Sequence, residues 1–509
     1  MNWFVTIGGL AYNLVIIAIV TVVIKIKQKK SGVKQEDFVM GGKQMGWFAC
    51  AASMALTSLG GGHINGLSAQ SWTSGVSTIW YCLGHGIFFM FALRFCGVWY
   101  RRMGCSTINE VFGRMFHPIL VPILAGMGVG YCWMVLCVET QGMGTVISGM
   151  TGLPNLAGCL IGIVIGMLYV ALAGIDEVGK VNSVNAILMY VFGAIVLIFI
   201  GYNTLIGGWQ PINDTLLANN EELVHALANP ALLKSYVIGT FLVTCFGMNF
   251  IQPNIQAAAA VPNVKVLRKA CIACIPLNVM FGVIIISLGL ASKGLVDQGL
   301  LTAENGAVGV VQLVLNYMPN WLQICTIGMF LAAMLSTVAM EALALATMLN
   351  RNILCFFPRF KHMSPKTEAN LSRIWIVIGC ITAAFAAVTI QAQTNQALTW
   401  GFAWFVPLFF MFAIGMWWKR SRIGSLITLI VCWACNILLT FTPLASVFGL
   451  EGNNYSIFMI VLSLGLGIIT TACDKKAGKS FSKVYKEQRA FYDKTHGITH
   501  NAVESGAAN

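Results

Sequence analysis

Apolar residues run in long blocks along this chain, and the polar residues between them come in short, often basic clusters. Apolar blocks of about 20 residues are the length that crosses a bilayer as a helix. The pattern predicts thirteen spans, roughly 3–26, 45–73, 76–100, 119–148, 154–175, 182–204, 235–259, 270–292, 321–349, 372–393, 397–418, 423–443 and 455–474. The first has nothing basic ahead of it and is too long for the apolar core of a cleaved signal peptide, so it reads as a span.

Charge placement tests that count. With the leading end outside, alternate loops fall inside and collect the Lys25–Lys43 cluster, Arg101, Arg102, Arg114, Lys180, Lys265, Arg268, Lys269, the Arg351–Arg373 set, Lys419, Arg420, Arg422 and the segment after Asp474. Of 31 Lys and Arg, only Lys234 and Lys293 fall outside and Arg94 lies within a span, which leaves 28 inside. Cytoplasmic loops carry such an excess, and moving one span in mid-chain would destroy it. The net charge of +13 is therefore topology plus attraction to an anionic leaflet, not a nucleic-acid footprint.

Composition agrees. The chain is 57% hydrophobic and 10% charged, with mean hydropathy +0.77, against about 25% charged in soluble chains. Its sixteen cysteines fall almost wholly within spans, where thiols act as small apolar packing groups. Cys271/Cys274 and Cys432/Cys435 have C-x-x-C spacing, but apolar helices offer no ligand set that would complete a zinc site. The segment after Asp474 is basic, then polar, and reads as partly without fixed structure.

Two spans carry breaks. The second contains Gly60-Gly61-Gly62 followed by His63. Three interior glycines cost about 1 kcal/mol each relative to alanine. Close helix packing through small residues is one reading. An unwound segment whose freed carbonyls bind a cation is the other, and the adjacent imidazole favours it. The seventh span has Thr244, Gly247 and Asn249 ahead of Gln252 and Pro253, and proline removes a backbone donor. Five helices separate the two breaks, the interval of two inverted five-helix repeats that each open on a discontinuous helix.

The ninth span holds Leu331-Ala-Ala-Met-Leu-Ser336-Thr337. Ala333, Ser336 and Thr337 lie at i, i+3 and i+4, on one helix face. Two hydroxyls and a carbonyl suit a hard cation that needs oxygen ligands. Serine and threonine also bond back to their own helix, so the spacing alone leaves both readings open.

From about residue 36 to about 440 the chain resembles the sodium:solute symporter family. The resemblance rests on F-V-M-G-G-K before the second span, G-L-S-A-Q-S-W-T-S-G after the triple glycine, A-A-M-L-S-T in the ninth span, the polar Gln252–Lys269 stretch, and the Pro407 helix ending in W-W-K-R. It implies an all-α polytopic membrane protein with the LeuT-type 5+5 inverted-repeat core, one extra leading helix and two extra trailing helices. The repeats would cover 45–204 and 235–418, with 1–44 a leading helix and inside loop, 205–234 an outside loop, 419–474 the two trailing helices, and 475–509 an inside tail. It also implies a sodium site from the side-chain oxygens of Ser336 and Thr337 and the carbonyls of Ala333, Leu56 and Leu59.

Three departures from the family stand out. An Asp that some members carry at the start of the sixth span is here Asn182, followed by Ser183, which points to one sodium per cycle. Glu341 stands where several relatives have Gln. An intramembrane carboxyl is costly and is a functional candidate by default. Glu341 can neutralise sodium, take a proton, pair with a basic solute, or bond as a neutral acid to a neighbouring helix. The polar groups of sugar carriers in the third and eighth spans fall here at Cys82 and Asn278, which disfavours a sugar.

The solute pocket is expected at mid-membrane between the broken spans. Its candidates are Ser58, His63, His85, Glu139, Thr244, Asn249 and Thr399, with Trp400 and Trp404 as apolar walls. An organic acid, an amino acid or a pantothenate-like compound suits this set. The expected function is sodium-coupled import with no enzymatic activity, with sodium and a small polar solute as ligands, no cofactor, and the lipid bilayer as surroundings. A proton-coupled carrier of the same fold using Glu341 is the first rival. A membrane sensor derived from a carrier is the second, and the short tail leaves no room for a kinase. Neither H-E-x-x-H nor G-x-S-x-G occurs. The expected location is a plasma membrane, such as a bacterial inner membrane; oligomeric state is left open.

Overall fold

The computed structural model describes residues 3–31, 43–172, 175–225, 232, 237–389, 394–450 and 453–495. Most of the F-V-M-G-G-K run, Lys34, Lys234 and the tail beyond 495 lie outside them. Within the described residues, each predicted stretch falls on one helix or on a run of consecutive helical segments. Among the described residues, nine helices are long and apolar enough to cross a membrane, and Trp47–Ser58, Asn155–Val170, Ile238–Phe250 and Gly306–Tyr317 are shorter apolar helices. Among the described residues the fold is all-α, apart from a two-residue strand pairing of Lys419–Arg420 with Gly478–Lys479. All sixteen cysteines are free thiols.

The second span breaks where its glycines lie. Trp47–Ser58 is a helix, Leu59 leaves helical geometry, and a π-helical turn restarts at Gly62–Leu67 before Ser68–Ser74. The seventh breaks at Ile251, which is extended, between Ile238–Gly247 with its 3₁₀ turn Met248–Phe250 and the restart Gln252–Ala259. Pro253 sits in the first turn of that restart, where its missing N–H costs nothing. Gln252 pins the restart by accepting from the Ile108 N–H at 2.9 Å and donating to the Ser106 carbonyl at 3.1 Å.

The eleventh span is broken as well, between Thr394–Ala403 and Val406–Trp417. Its freed Trp404 carbonyl accepts from the Trp433 indole at 3.0 Å, so the buried backbone is satisfied from a neighbouring helix.

The ninth span, Asn320–Met348, is the axis of the bundle. Its most apolar window is wholly buried, whereas that of the first span is 22% buried and that of the thirteenth 28%. The ninth packs on the second, fourth, sixth and tenth spans. Its hydroxyls and carboxyl are thus protein-facing.

The polar tail departs from expectation in part. Phe481–Thr495 is a helix docked by Phe481 and Tyr485 on Trp99, with Arg420 over the Phe481 ring. Asp474 anchors the approach to it, accepting from the Ser421 hydroxyl at 2.6 Å and the Lys476 N–H at 2.8 Å.

Candidate ion and solute site

The break in the second span is held open by the fourth span, Leu120–Thr151. The Gly61 N–H donates to the Glu139 carboxylate at 2.6 Å. That amide opens the restarted helix, where unpaired donors and the helix dipole favour an anion. Gly60 is required by the same contact, because a Cβ there would collide with the carboxylate. A Cβ on Gly62 would meet Leu398 of the eleventh span.

On the other side of the break the ninth span supplies oxygens. Thr337 Oγ1 lies 3.0 Å from the Leu56 carbonyl and 3.2 Å from the Ala333 carbonyl. Ser336 Oγ lies 3.3 Å from Leu56 O and 2.6 Å from Ala333 O. Leu56 O is at the C-terminal end of the first half-helix, where carbonyls lose their intrahelical partners. Four of the five expected ligand groups therefore meet at one buried point. Leu59 joins them through its N–H, which donates to Leu56 O at 3.1 Å.

Beside this cluster lies a cavity of about 30 Å³, room for about two waters. Ser58, His85, Glu139, Thr337 and Glu341 line it, together with Tyr81, Tyr131 and Asn254, which the sequence reading missed. The missed tyrosines have a helical rationale. Tyr131, Val135 and Glu139 lie at i, i+4 and i+8 on one face, and Tyr81 is one turn before His85.

The remaining candidates are placed differently. His63 is buried behind the lining, its ring 5.3 Å from Tyr81 and 5.4 Å from His85. Both imidazoles sit in π-helical turns, Gly62–Leu67 and Gly84–Phe89. Thr244 and Asn249 are not among the lining residues and bond back to Thr240 O and Cys245 O, each at 2.6 Å. Trp400 and Trp404 pack on each other and on Phe441 and Trp433; Leu398 and Phe402, on the opposite face, line the cavity instead. The Thr399 side chain lies outside the described residues. Asn182 is buried 3.5 Å from Ser53 Oγ, and Ser183 bonds back to Gly179 O.

The family model of the sodium:solute symporter family matches residues 38–432. The chain belongs to the sodium:solute symporter family. It is similar to the osmoregulated proline transporter OpuE of Bacillus subtilis, 21% identical over 462 residues that cover 88% of this chain and 92% of that protein. It is also similar to the sodium/proline symporter of Escherichia coli, 20% identical over 423 residues, covering 78% and 80%. In structure it resembles a substrate-bound outward-open Na⁺-coupled sialic acid symporter, with TM-score 0.75 at 16% identity over 94% of this chain and 99% of that one. A second likeness is to MhsT in complex with L-phenylalanine, TM-score 0.52 at 15% identity over 84% and 97%. The fold is thus the LeuT type, as expected. The chain is a multi-pass membrane transporter of the sodium-coupled symporter family rather than an enzyme, and sodium is the co-transported ion.

Proposed function

We propose that this symporter binds one sodium ion at Leu56 O, Leu59 O, Ala333 O, Ser336 Oγ and Thr337 Oγ1, and carries with it a small polar solute held in the adjoining cavity. The observation that carries this reading is the meeting of Ser336, Thr337 and the Ala333 carbonyl with Leu56 O at the break in the second span. Hydroxyl rotors turn freely, so each can exchange its donated bond for a lone pair directed at a cation.

The site bridges two elements that must move against each other. Sodium draws the first half of the second span onto the ninth, favouring one arrangement of the bundle. Thr337 belongs to both the oxygen cluster and the cavity wall, so ion and solute are adjacent. Admitting a solute requires the walls to part, and the breaks in the second, seventh and eleventh spans allow short segments to tilt. One charge crossing about 100 mV releases about 2.3 kcal/mol. A tenfold sodium gradient adds about 1.4 kcal/mol, so the two sustain accumulation of roughly a few hundred-fold. The charge asymmetry of the loops supports a leading end outside, a basic trailing segment in the cytoplasm, and a plasma membrane.

Solute uptake into proteoliposomes with external sodium replaced by potassium tests the reading. Uptake should collapse; undiminished uptake would remove sodium from the mechanism.

A further inference from the structure

The cavity wall has a chemical bias that the sodium cluster leaves unanswered. Two carboxyl groups, Glu139 and Glu341, face it, and no Lys or Arg stands among the described residues that line it. Both are nearly inaccessible, at 2% and 3% exposure. Glu139 is partly answered by the Gly61 N–H. Glu341 keeps one oxygen, Oε2, without a partner, and so does Asn254, a residue at 1% exposure, at its Oδ1. Asn254 Oδ1 is an acceptor, and so is Glu341 Oε2 when its carboxyl is ionised. A buried acceptor without a donor is destabilising, and a buried carboxylate without a counter-charge more so. The rest of the wall includes Tyr81, Tyr131 and Phe402, rings of the kind whose faces attract cations.

We infer that the transported solute carries a protonated amine, which this wall receives at Glu341 Oε2 and Asn254 Oδ1. An ammonium group supplies the positive charge the wall lacks, and several N–H donors on one atom for its two orphaned oxygens. The inference rests on the sodium-symport reading and narrows its solute. Amino acids and other amines remain. Organic acids without an amine are disfavoured, because their carboxylate would face two carboxyls with only the adjoining sodium as a counter-charge.

The test uses the full chain in proteoliposomes under an inward sodium gradient, with transport currents read on a solid-supported membrane. The probes are pairs that differ in the amine: L-alanine and L-lactate, L-proline and tetrahydrofuran-2-carboxylate, ethanolamine and ethylene glycol, putrescine and 1,4-butanediol. At least one amine member should exceed its partner by about tenfold or more, the factor that 1.4 kcal/mol carries. Glu341→Gln should abolish that preference while sodium still raises the thermal stability of the variant. Asn254→Ala, which keeps the carboxyl pair, should raise the KM for the amine by about fivefold or more without moving the half-saturating sodium concentration, as loss of one hydrogen bond to a charged group implies. A nitrogen-free partner that drives equal current overturns the inference and leaves symport standing. Silence from every amine, or amine currents unchanged in both variants, overturns it too. Amine currents that persist in potassium support the inference and overturn the sodium reading.

Discussion

The Gly61 N–H donates to the Glu139 carboxylate at 2.6 Å, across two helices and 78 residues of sequence. One side chain of the fourth span thereby caps the half-helix that restarts beside the oxygens of Leu56, Ser336 and Thr337. Glu139→Ala should leave that buried amide unpaired and cost about 1–3 kcal/mol. Glu139→Gln keeps an acceptor and should be milder. Melting temperatures of the two purified variants rank them, and equal temperatures would mean that the contact contributes nothing.

The glycines at the break should respond in a graded way. Gly60→Ala drives a Cβ into the Glu139 carboxylate, so transport should fall by about tenfold or more, as for a small-to-large change in a packed core. Gly62→Ala meets only the end of the Leu398 side chain, which can shift, and should be milder. Gly130, on the same helix as Glu139, has open space where its Cβ would be. Gly130→Ala should be neutral or stabilising by up to about 1 kcal/mol. Equal uptake rates in all three variants would contradict the geometry.

Much of this was legible because the signals are local. A triple glycine, a proline after a polar pair, and hydroxyls one helical turn from a carbonyl each act within a few residues of themselves. The glycines at 60–62 and the Gln252–Pro253 pair stand next to the observed breaks at Leu59 and Ile251, and the hydroxyl spacing picks out the face of the ninth span that meets Leu56. What stayed hidden is tertiary. Nothing near Glu139 in sequence says that its carboxylate ends on Gly61. The same limit misplaced Trp400 and Trp404. The large ring was the visible signal, but the helix turns Leu398 and Phe402 to the cavity instead. Asn254 went unremarked within a polar stretch that includes Gln252, whose amide is committed to the loop at Ser106 and Ile108.

At the start of the twelfth span, Ser421 caps the helix Arg422–Phe441 by accepting from the Gly424 N–H at 2.7 Å and also donates to Asp474. Ser421→Ala should lower stability by about 1 kcal/mol, the value of a helix cap. The Ser421 hydroxyl, followed by the Lys476 amide, holds the Asp474 carboxyl below its usual range. A depressed carboxyl contributes stability above its unfolded value, and that contribution fades as pH falls through the lower folded value. In Ser421→Ala the folded value moves back toward the unfolded one, so the contribution should be smaller and its loss complete at a higher pH. Melting temperature against pH, compared with wild type, reads both effects; superimposable curves would exclude the contact.

The central claim is that the oxygens of Ser336 and Thr337 bind the coupling ion with the Leu56 carbonyl. Its most direct measurement is the sodium concentration that half-saturates solute uptake in proteoliposomes containing the Ser336→Ala, Thr337→Ala double variant. Loss of two oxygen ligands should raise it by about tenfold or more, since each 1.4 kcal/mol of lost binding is a factor of ten. A double variant with the wild-type sodium requirement would place the ion somewhere else.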